Sequence, residues 1–372
     1  MKGKEGNMGK KILKYAGRTL LVILVTLVML FFILYAVMHK IANGSSQAAR
    51  DSFVTTILET GQMKFLASWV CSKDEINEIQ ERNKLKEMDV DQDMSKITIK
   101  TDTDDEDPDE EVIPDLVETF DENGIRVEEI TGLTYYAKMM IIKDPSQVVV
   151  GTSAKDGIWG EYGLNLDELI KKRGGIAGVN GGLYVSTGNK GGKPKGVVVE
   201  NGQILYNEPS AENGYYLIGM NEDNYLIIKD LKGMTKNDFK SYVEEQKIRD
   251  AVAFQEESTD KNNHFVPLVI NGEGREVSGI GGGTNPRTAI GQRADGAILL
   301  LVTDGRGASG HLGATADDII GIMLDYGAIN AANLDGGSSS SMWYKEYEMT
   351  SVTFYYKHSS WLMPTSFVVM PK

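Results

Sequence analysis

Hydrophobic and polar positions divide the chain into stretches of different period. Residues 20–38, LLVILVTLVMLFFILYAVM, are apolar without a single charge. At about 1.5 Å per residue a helix of that length spans roughly 30 Å, one hydrocarbon core, so 19–38 is predicted to be a transmembrane signal-anchor. Residues 51–90 place Phe53, Ile57, Phe65, Leu66, Trp69 and Val70 ahead of the mixed-charge run KDEINEIQERNKLKEM. This predicts a helical stalk over 39–90, solvated and packing on itself, with a partner-binding helix as the alternative. The next stretch, 91–112, contains TDTDDEDPDEEV and is expected to be a disordered acidic linker, because like charges repel one another.

Beyond residue 112 the pattern turns to short alternating runs. Residues 124–153 alternate and are rich in β-branched and aromatic residues, with DPS as a turn. A helix over 165–175 ends in glycine, and 176–184 is an apolar strand running into a glycine turn. Hairpins are expected at 195–207, around Asn201-Gly202, and at 215–230. A strand ends in a turn within 266–274, and two strands flank RADG in 287–306. Residues 314–328 predict a helix capped by Thr315 and Asp318 and closed by Gly327, with Ile319, Ile320, Met323 and Leu324 as its apolar face. The fold class is α+β, with mixed sheets and packed helices in a domain over 113–372.

Charge and composition narrow the function. Lys10, Lys11, Lys14 and Arg18 precede the apolar run, which keeps residues 1–18 in the cytoplasm and the rest outside the cell membrane. A cleaved signal peptide is the competing expectation, although SSQAA at 45–49 is only a fair cleavage site. The net charge of −14 and the lack of a basic face exclude general nucleic-acid binding. A single cysteine, Cys71, excludes an internal disulfide framework and a Cys-based zinc site.

Four segments share one design, a strand ending in a polar or charged residue beside glycine: VNGG (179–182), TNPRTAIG (284–291), TDGRG (303–307) and NLDGGSSSS (333–341). Glycine there lets backbone N–H groups approach a ligand, and arginine offers a planar fork for phosphate or carboxylate. Read together, Arg287 and Arg306 flank two carboxylates, Asp304 and Asp335, as a site for a small anionic substrate. Thr284, Asn180, Gly181, Asn333, Gly336, Gly337, Ser338, Ser339 and Ser340 are the candidate binding groups. His311 is a weaker candidate for a proton shuttle. Asp304, Asp335 and backbone carbonyls could hold Ca²⁺ through oxygen, but no EF-hand spacing is present, so no cofactor is assigned.

In order along the chain, VNGGLY, PKGVVVENGQIL, NPRTAIG, TDGR and AANLDGGSSSSM resemble the phosphodiester glycosidase family. That family includes the lysosomal uncovering enzyme and many bacterial envelope proteins labelled exopolysaccharide-related. The resemblance covers roughly 125–372. Ser338 stands where the family often has a third glycine, and Tyr184 where it often has phenylalanine. The resemblance implies an extracytoplasmic hydrolase that cleaves the C1–O bond of a sugar-1-phosphodiester in an envelope glycopolymer, releasing free sugar and a phosphomonoester. Asp335 is then the first choice, and Asp304 the second, for the carboxylate that acts as base or nucleophile or stabilises an oxocarbenium-like transition state. A carboxylate separation of about 5 Å would favour retention, and about 6.5–9.5 Å inversion. Competing expectations are a non-catalytic polyanion-binding module, an envelope assembly protein working through the 51–90 helix, and cleavage at the P–O bond.

Overall fold

The computed structural model describes residues 2–59, 63–99, 119–185, 188, 190–209, 214–256, 265–307, 310–345, 347–348 and 360–372. The acidic block 101–112 and the expected boundary at 112 lie outside these residues.

Helix α1 (Lys2–Ala42) contains the apolar stretch Ile12–Ala42, long and apolar enough to cross a membrane. Helices α2 (Gln47–Leu58), α3 (Ala67–Val70) and α4 (Lys73–Arg82) follow. The predicted helices are present and pack on one another, as expected, and they also dock on the main domain. Val54, Leu58, Leu66, Ala67, Val70, Cys71, Ile76 and Ile79 bury one another in a small core that also takes in Met38 and Ala42 at the end of α1. Polar pairing locks this cluster. The buried Asp51 carboxylate accepts two hydrogen bonds from Arg82, each 2.6 Å, and one from Asn83. Asn83 in turn accepts from the Ile280 N–H of the main domain.

The chain then runs along the domain where a free linker was expected. Arg275 Nε donates to the Lys86 carbonyl, Asp93 N–H donates to Asn271 Oδ1, and Thr98 N–H donates to the Ala294 carbonyl. Ile97 is buried. The described part, 91–99, is therefore fastened to the domain by these hydrogen bonds and by Ile97, while its acidic residues stay exposed.

The domain holds three sheets whose strand pairs are antiparallel. The largest has the order β1-β2-β13-β12-β14-β10-β11, where β1 is Ile125–Thr131, β2 Tyr136–Ile142, β10 Pro267–Ile270, β11 Glu273–Gly274, β12 Thr288–Arg293, β13 Ile298–Thr303 and β14 Ala328–Asn333. A second runs β16-β15-β4-β17-β3, with β3 Val148–Thr152, β4 Ala177–Asn180, β15 Met342–Tyr344, β16 Tyr347–Glu348 and β17 Thr365–Val369. The third runs β6-β5-β9-β7-β8, with β5 Val197–Glu200, β6 Gln203–Asn207, β7 Tyr215–Asn221, β8 Leu226–Asp230 and β9 Ile248–Gln255. Period-two alternation explains how the sheets stack. Ile298, Leu300 and Val302 of β13 point into the core shared by all three sheets, while Leu299 and Leu301 point to helix α7 (Ala316–Asp325). Helix α6 (Lys236–Glu245) covers the third sheet through Phe239 and Val243, and α5 (Leu166–Arg173) covers the second through Leu166 and Ile170.

The predicted turns and caps form as the residue types require. Gly174 closes α5 at φ 84°, Asn201-Gly202 turns the β5–β6 hairpin at φ 50° and 73°, and Thr315 and Asp318 cap α7 reciprocally. On α7, Ile322 is buried and Leu324 is partly exposed, so the apolar face is rotated from the expected one. Strands β9 and β17 and helix α6 had not been expected. β9 lies between β5 and β7, β17 between β4 and β3, and α6 packs on the face of the third sheet.

The helical cluster docks on the domain at Gly283, where glycine is needed. A Cβ at this position would lie 2.6 Å from backbone atoms of Thr56 in α2. Gly283→Val is therefore expected to lift α2, seen as faster hydrogen exchange at α2 amides and a lower melting temperature. Unchanged exchange would show that the contact yields freely.

Candidate active site

β12 and β13 form a hairpin, and β14 pairs with β12 from the other side. The start of β12 and the ends of β13 and β14 therefore lie at the same edge of the sheet. The end of β4 reaches this edge from the second sheet, where Asp335 N–H donates to the Gly181 carbonyl at 3.3 Å and Asn180 Nδ2 donates to the Asp335 carbonyl at 2.6 Å. All four glycine-flanked segments thus meet at one place.

Asp335 lies at the centre. The residue is half-buried, and desolvation of its carboxylate, the largest influence, pushes its pKa up to about 6 from an ordinary 3.8. Hydrogen bonds from the Ser339 hydroxyl and the Gly336 N–H, and the charges of Arg306 and Lys195, oppose that rise. Ser339 is held in turn by the Tyr184 hydroxyl at 2.9 Å, so the tyrosine supports the acid at second hand.

Arg306 is the cation that faces this carboxylate. Its backbone is left-handed, at φ 52°, an unusual conformation for a non-glycine residue that turns the side chain back from the end of β13. Nη1 donates to Ser338 Oγ at 3.0 Å and Nε to Asn285 Oδ1 at 3.3 Å. Burial and the nearby Arg287 lower its pKa, while Glu59 and Asp335 raise it. An arginine remains charged under such influences, and part of the residue is open to solvent.

Arg287 was expected to bind substrate, but the structure gives it protein partners instead. Nη2 donates to Glu59 Oε2 at 2.6 Å and to the Gly283 carbonyl at 2.8 Å, and Nε donates to the Ala314 carbonyl. The Arg287–Glu59 pair is buried, with side-chain exposures of 8% and 3%. Glu59 directly follows α2 and was missing from the expected site. It also accepts from Asn285 Nδ2 and from the Gly283 N–H, each at 2.6 Å. Asn285 therefore links Glu59 to Arg306. Thr284, another expected binding group, instead pairs with Thr56 of α2.

Other expected residues also hold the site together. Asn180 is buried, and its Oδ1 accepts from Thr288 Oγ1 and the Ser341 N–H. Asn333 Nδ2 donates to the Phe265 carbonyl. Gly337 is left-handed, at φ 62°, and its N–H donates to the Pro286 carbonyl. Ser340 is fully buried, with an Oγ that has no protein hydrogen-bond partner. Gly181 lies so close to Thr365 that a Cβ would come within 2.6 Å of its Oγ1.

Asp304, the second expected acid, has both oxygens engaged. Oδ1 accepts from the Tyr136 N–H at 2.8 Å, and Oδ2 contacts His311 Nδ1 at 2.6 Å. It fastens the end of β13 to β2 and orients His311, so of the two expected acids Asp304 has a positioning role in the structure. Among the described residues, no group of three or more His, Cys, Asp or Glu is placed to hold a metal ion.

Residues 173–370, more than half of the chain, match the profile of the phosphodiester glycosidase (NAGPA) family. The chain belongs to this family. The segments expected to carry its chemistry from β4 onward fall within the matched glycosidase region, whereas Glu59 lies outside it. A Bacillus subtilis relative, the SPbeta prophage-derived uncharacterized protein YomE, is 48% identical over 56 residues, which is 15% of this chain and 8% of that protein. Among solved structures, the zebrafish N-acetylglucosamine-1-phosphodiester α-N-acetylglucosaminidase catalytic domain, auto-inhibited by its pro-peptide, is 18% identical. The alignment covers 67% of this chain and 82% of that one, with a TM-score of 0.49. A Burkholderia pseudomallei protein described as exported is 14% identical over 64% of this chain and 74% of its own, with a TM-score of 0.44.

Proposed function

We propose that the protein is a membrane-anchored glycosidase that hydrolyses the C1–O bond of a sugar-1-phosphodiester outside the cytoplasm. The observation that carries this reading is the placement of Asp335, a half-buried carboxylate at the meeting point of the four glycine-flanked segments, in the field of Arg306. A phosphate-monoester leaving group is already a stable anion and needs charge stabilisation more than a proton. Arg306 and the hydroxyl of Ser338 supply that stabilisation. The sugar carbon gains positive charge as the bond breaks, and the Asp335 carboxylate stabilises it or acts as the nucleophile or base. His311, held by Asp304, is available to move a proton.

Family membership and the apolar helix support this reading at a coarser level. The envelope glycopolymer substrate and the orientation, with the basic residues before α1 on the cytoplasmic side, form part of the proposal. Burial of Met38 and Ala42 in the helical cluster favours an uncleaved anchor, because removing α1 would open that core.

The test uses the full chain in lipid nanodiscs with an N-acetylglucosamine-1-phosphodiester in ¹⁸O water. Label in the sugar C1 hydroxyl is the expected result. Label in the phosphomonoester, or release of sugar-1-phosphate, would place the cleavage at phosphorus and overturn the mechanism. Retention of the ligand without products would favour a binding module. Arg306→Ala is expected to raise KM about 100-fold, as loss of a charge-assisted hydrogen bond to an anion does, and Arg306→Lys to raise it less. A KM unchanged in both variants would remove Arg306 from phosphate binding.

A further inference from the structure

We infer that the turn around Met63–Trp69 is a second membrane contact, seated in the outer leaflet beside α1. This rests on the proposed reading of α1 as a membrane span. Residues 64–66 form a 3-10 turn that continues into α3. Leu66, Ala67 and Val70 face inward, to the helical cluster. Met63, Phe65 and Trp69 face outward, with exposures of 52%, 52% and 39%.

This outward face is continuous with the apolar surface of α1. The Trp69 ring meets Phe31 edge-on, with centroids 5.5 Å apart, and meets Phe65 at 5.2 Å. Phe31 lies well inside the uncharged run 20–38, about 10 Å along the helix from Met38. The exposed flank of α1 needs acyl chains around it, so a ring stacked against Phe31 lies in or beside that same layer. Tryptophan and phenylalanine suit this depth. The backbone of the turn suits it as well, because polar groups near lipid need internal partners. Leu66 N–H donates to the Met63 carbonyl, Cys71 N–H to the Ala67 carbonyl, and Ser68 Oγ to the Phe65 carbonyl. Lys64 flanks the aromatic face with a side chain long enough to reach the headgroups.

The test places a nitroxide at Phe65→Cys, and separately at Met63→Cys, in a Cys71→Ser background of the full chain in phosphatidylglycerol-containing nanodiscs. Collisions with oxygen, which concentrates in lipid, are compared with collisions with a water-soluble nickel chelate. A Leu133→Cys label, at a fully exposed loop position, serves as the aqueous reference. Val28→Cys serves as the reference for the span. Oxygen-favoured relaxation at 63 and 65, close to that at 28, is expected. Nickel accessibility at 63 and 65 equal to that at 133, with 28 in lipid, would overturn the seating and leave the span intact. Shielding of 63 and 65 from both relaxants would overturn it in favour of a protein partner. A water-exposed label at 28 would remove the span itself, and the seating with it.

Discussion

Asp335→Asn is expected to lower kcat on a sugar-1-phosphodiester by on the order of 10³-fold and to make the folded protein more stable at alkaline pH. Both effects come from the same burial. The carboxyl, with a pKa pushed up to about 6, must lose its proton to serve as nucleophile, base or charge stabiliser. In the wild type kcat/KM should therefore fall about tenfold per pH unit below 6, and the residual activity of the variant should lack that limb. The stability effect has the opposite sense. Between pH 4 and 6 the folded state holds a proton that the unfolded chain has already released, so stability falls as pH rises through this window. Above pH 6 the cost is present in full, and asparagine removes it. Melting curves at pH 8 should then place Asp335→Asn above the wild type, with the difference closing towards pH 4. A variant that is less stable at every pH would mean that the Ser339 and Gly336 hydrogen bonds outweigh the burial of charge.

Glu59→Ala is expected to destabilise the protein by about 3–5 kcal/mol, the usual cost of removing one partner of a buried ion pair. It leaves the Arg287 guanidinium buried without its counter-charge and leaves Asn285 Nδ2 and the Gly283 N–H without an acceptor. Arg306 loses support as well, because Asn285 orients it, so the surviving folded enzyme should show a raised KM. The double variant Glu59→Ala, Arg287→Met separates the two effects. Stability should return in part, since an apolar replacement of a buried pair is often neutral while the Asn285 and Gly283 donors still lack an acceptor, and KM stays high because Asn285 remains unsupported. A melting temperature unchanged in the single variant would show that Arg287 finds another acceptor. A fragment beginning near residue 112 lacks Glu59, so low activity in such a fragment would report the lost stem and not the chemistry of Asp335.

Much of the site could be read from the chain because its carriers are local. A strand, a glycine and a polar residue at its end are written within a few positions, and the convergence of Asn180, Arg287, Arg306 and Asp335 follows once such strands share a sheet edge. What each polar group does at that edge is not local. Arg287 and Arg306 look alike in sequence, yet one is neutralised by a glutamate 228 positions away and the other is not. Asn180 and Asn333 have the residue type of a sugar ligand, yet Asn180 binds Thr288 and backbone groups and Asn333 Nδ2 binds the Phe265 carbonyl. The stem reads as a solvated stalk packing on itself because its helices have mixed charge, and its docking on the domain depends on matches such as Gly283 with Thr56 that no periodicity encodes. Strand β17 escaped notice for a similar reason. TSFVV is short, and it becomes a strand by lying between β3 and β4.

On the proposed membrane reading, the stem would also fix a height. Glu59 belongs to the hydrogen-bond network of the arginines, and Met63 belongs to the apolar turn beside Phe31. Four residue steps of even fully extended chain cover only about 14 Å. If that turn sits in the outer leaflet and the sheet edge carries the proposed chemistry, the stem would hold the site at a set altitude above the bilayer. Phosphodiesters carried on lipid-tethered chains would then fall within its reach and the same bond farther out would lie beyond it, so that chemically identical linkages would be selected by elevation.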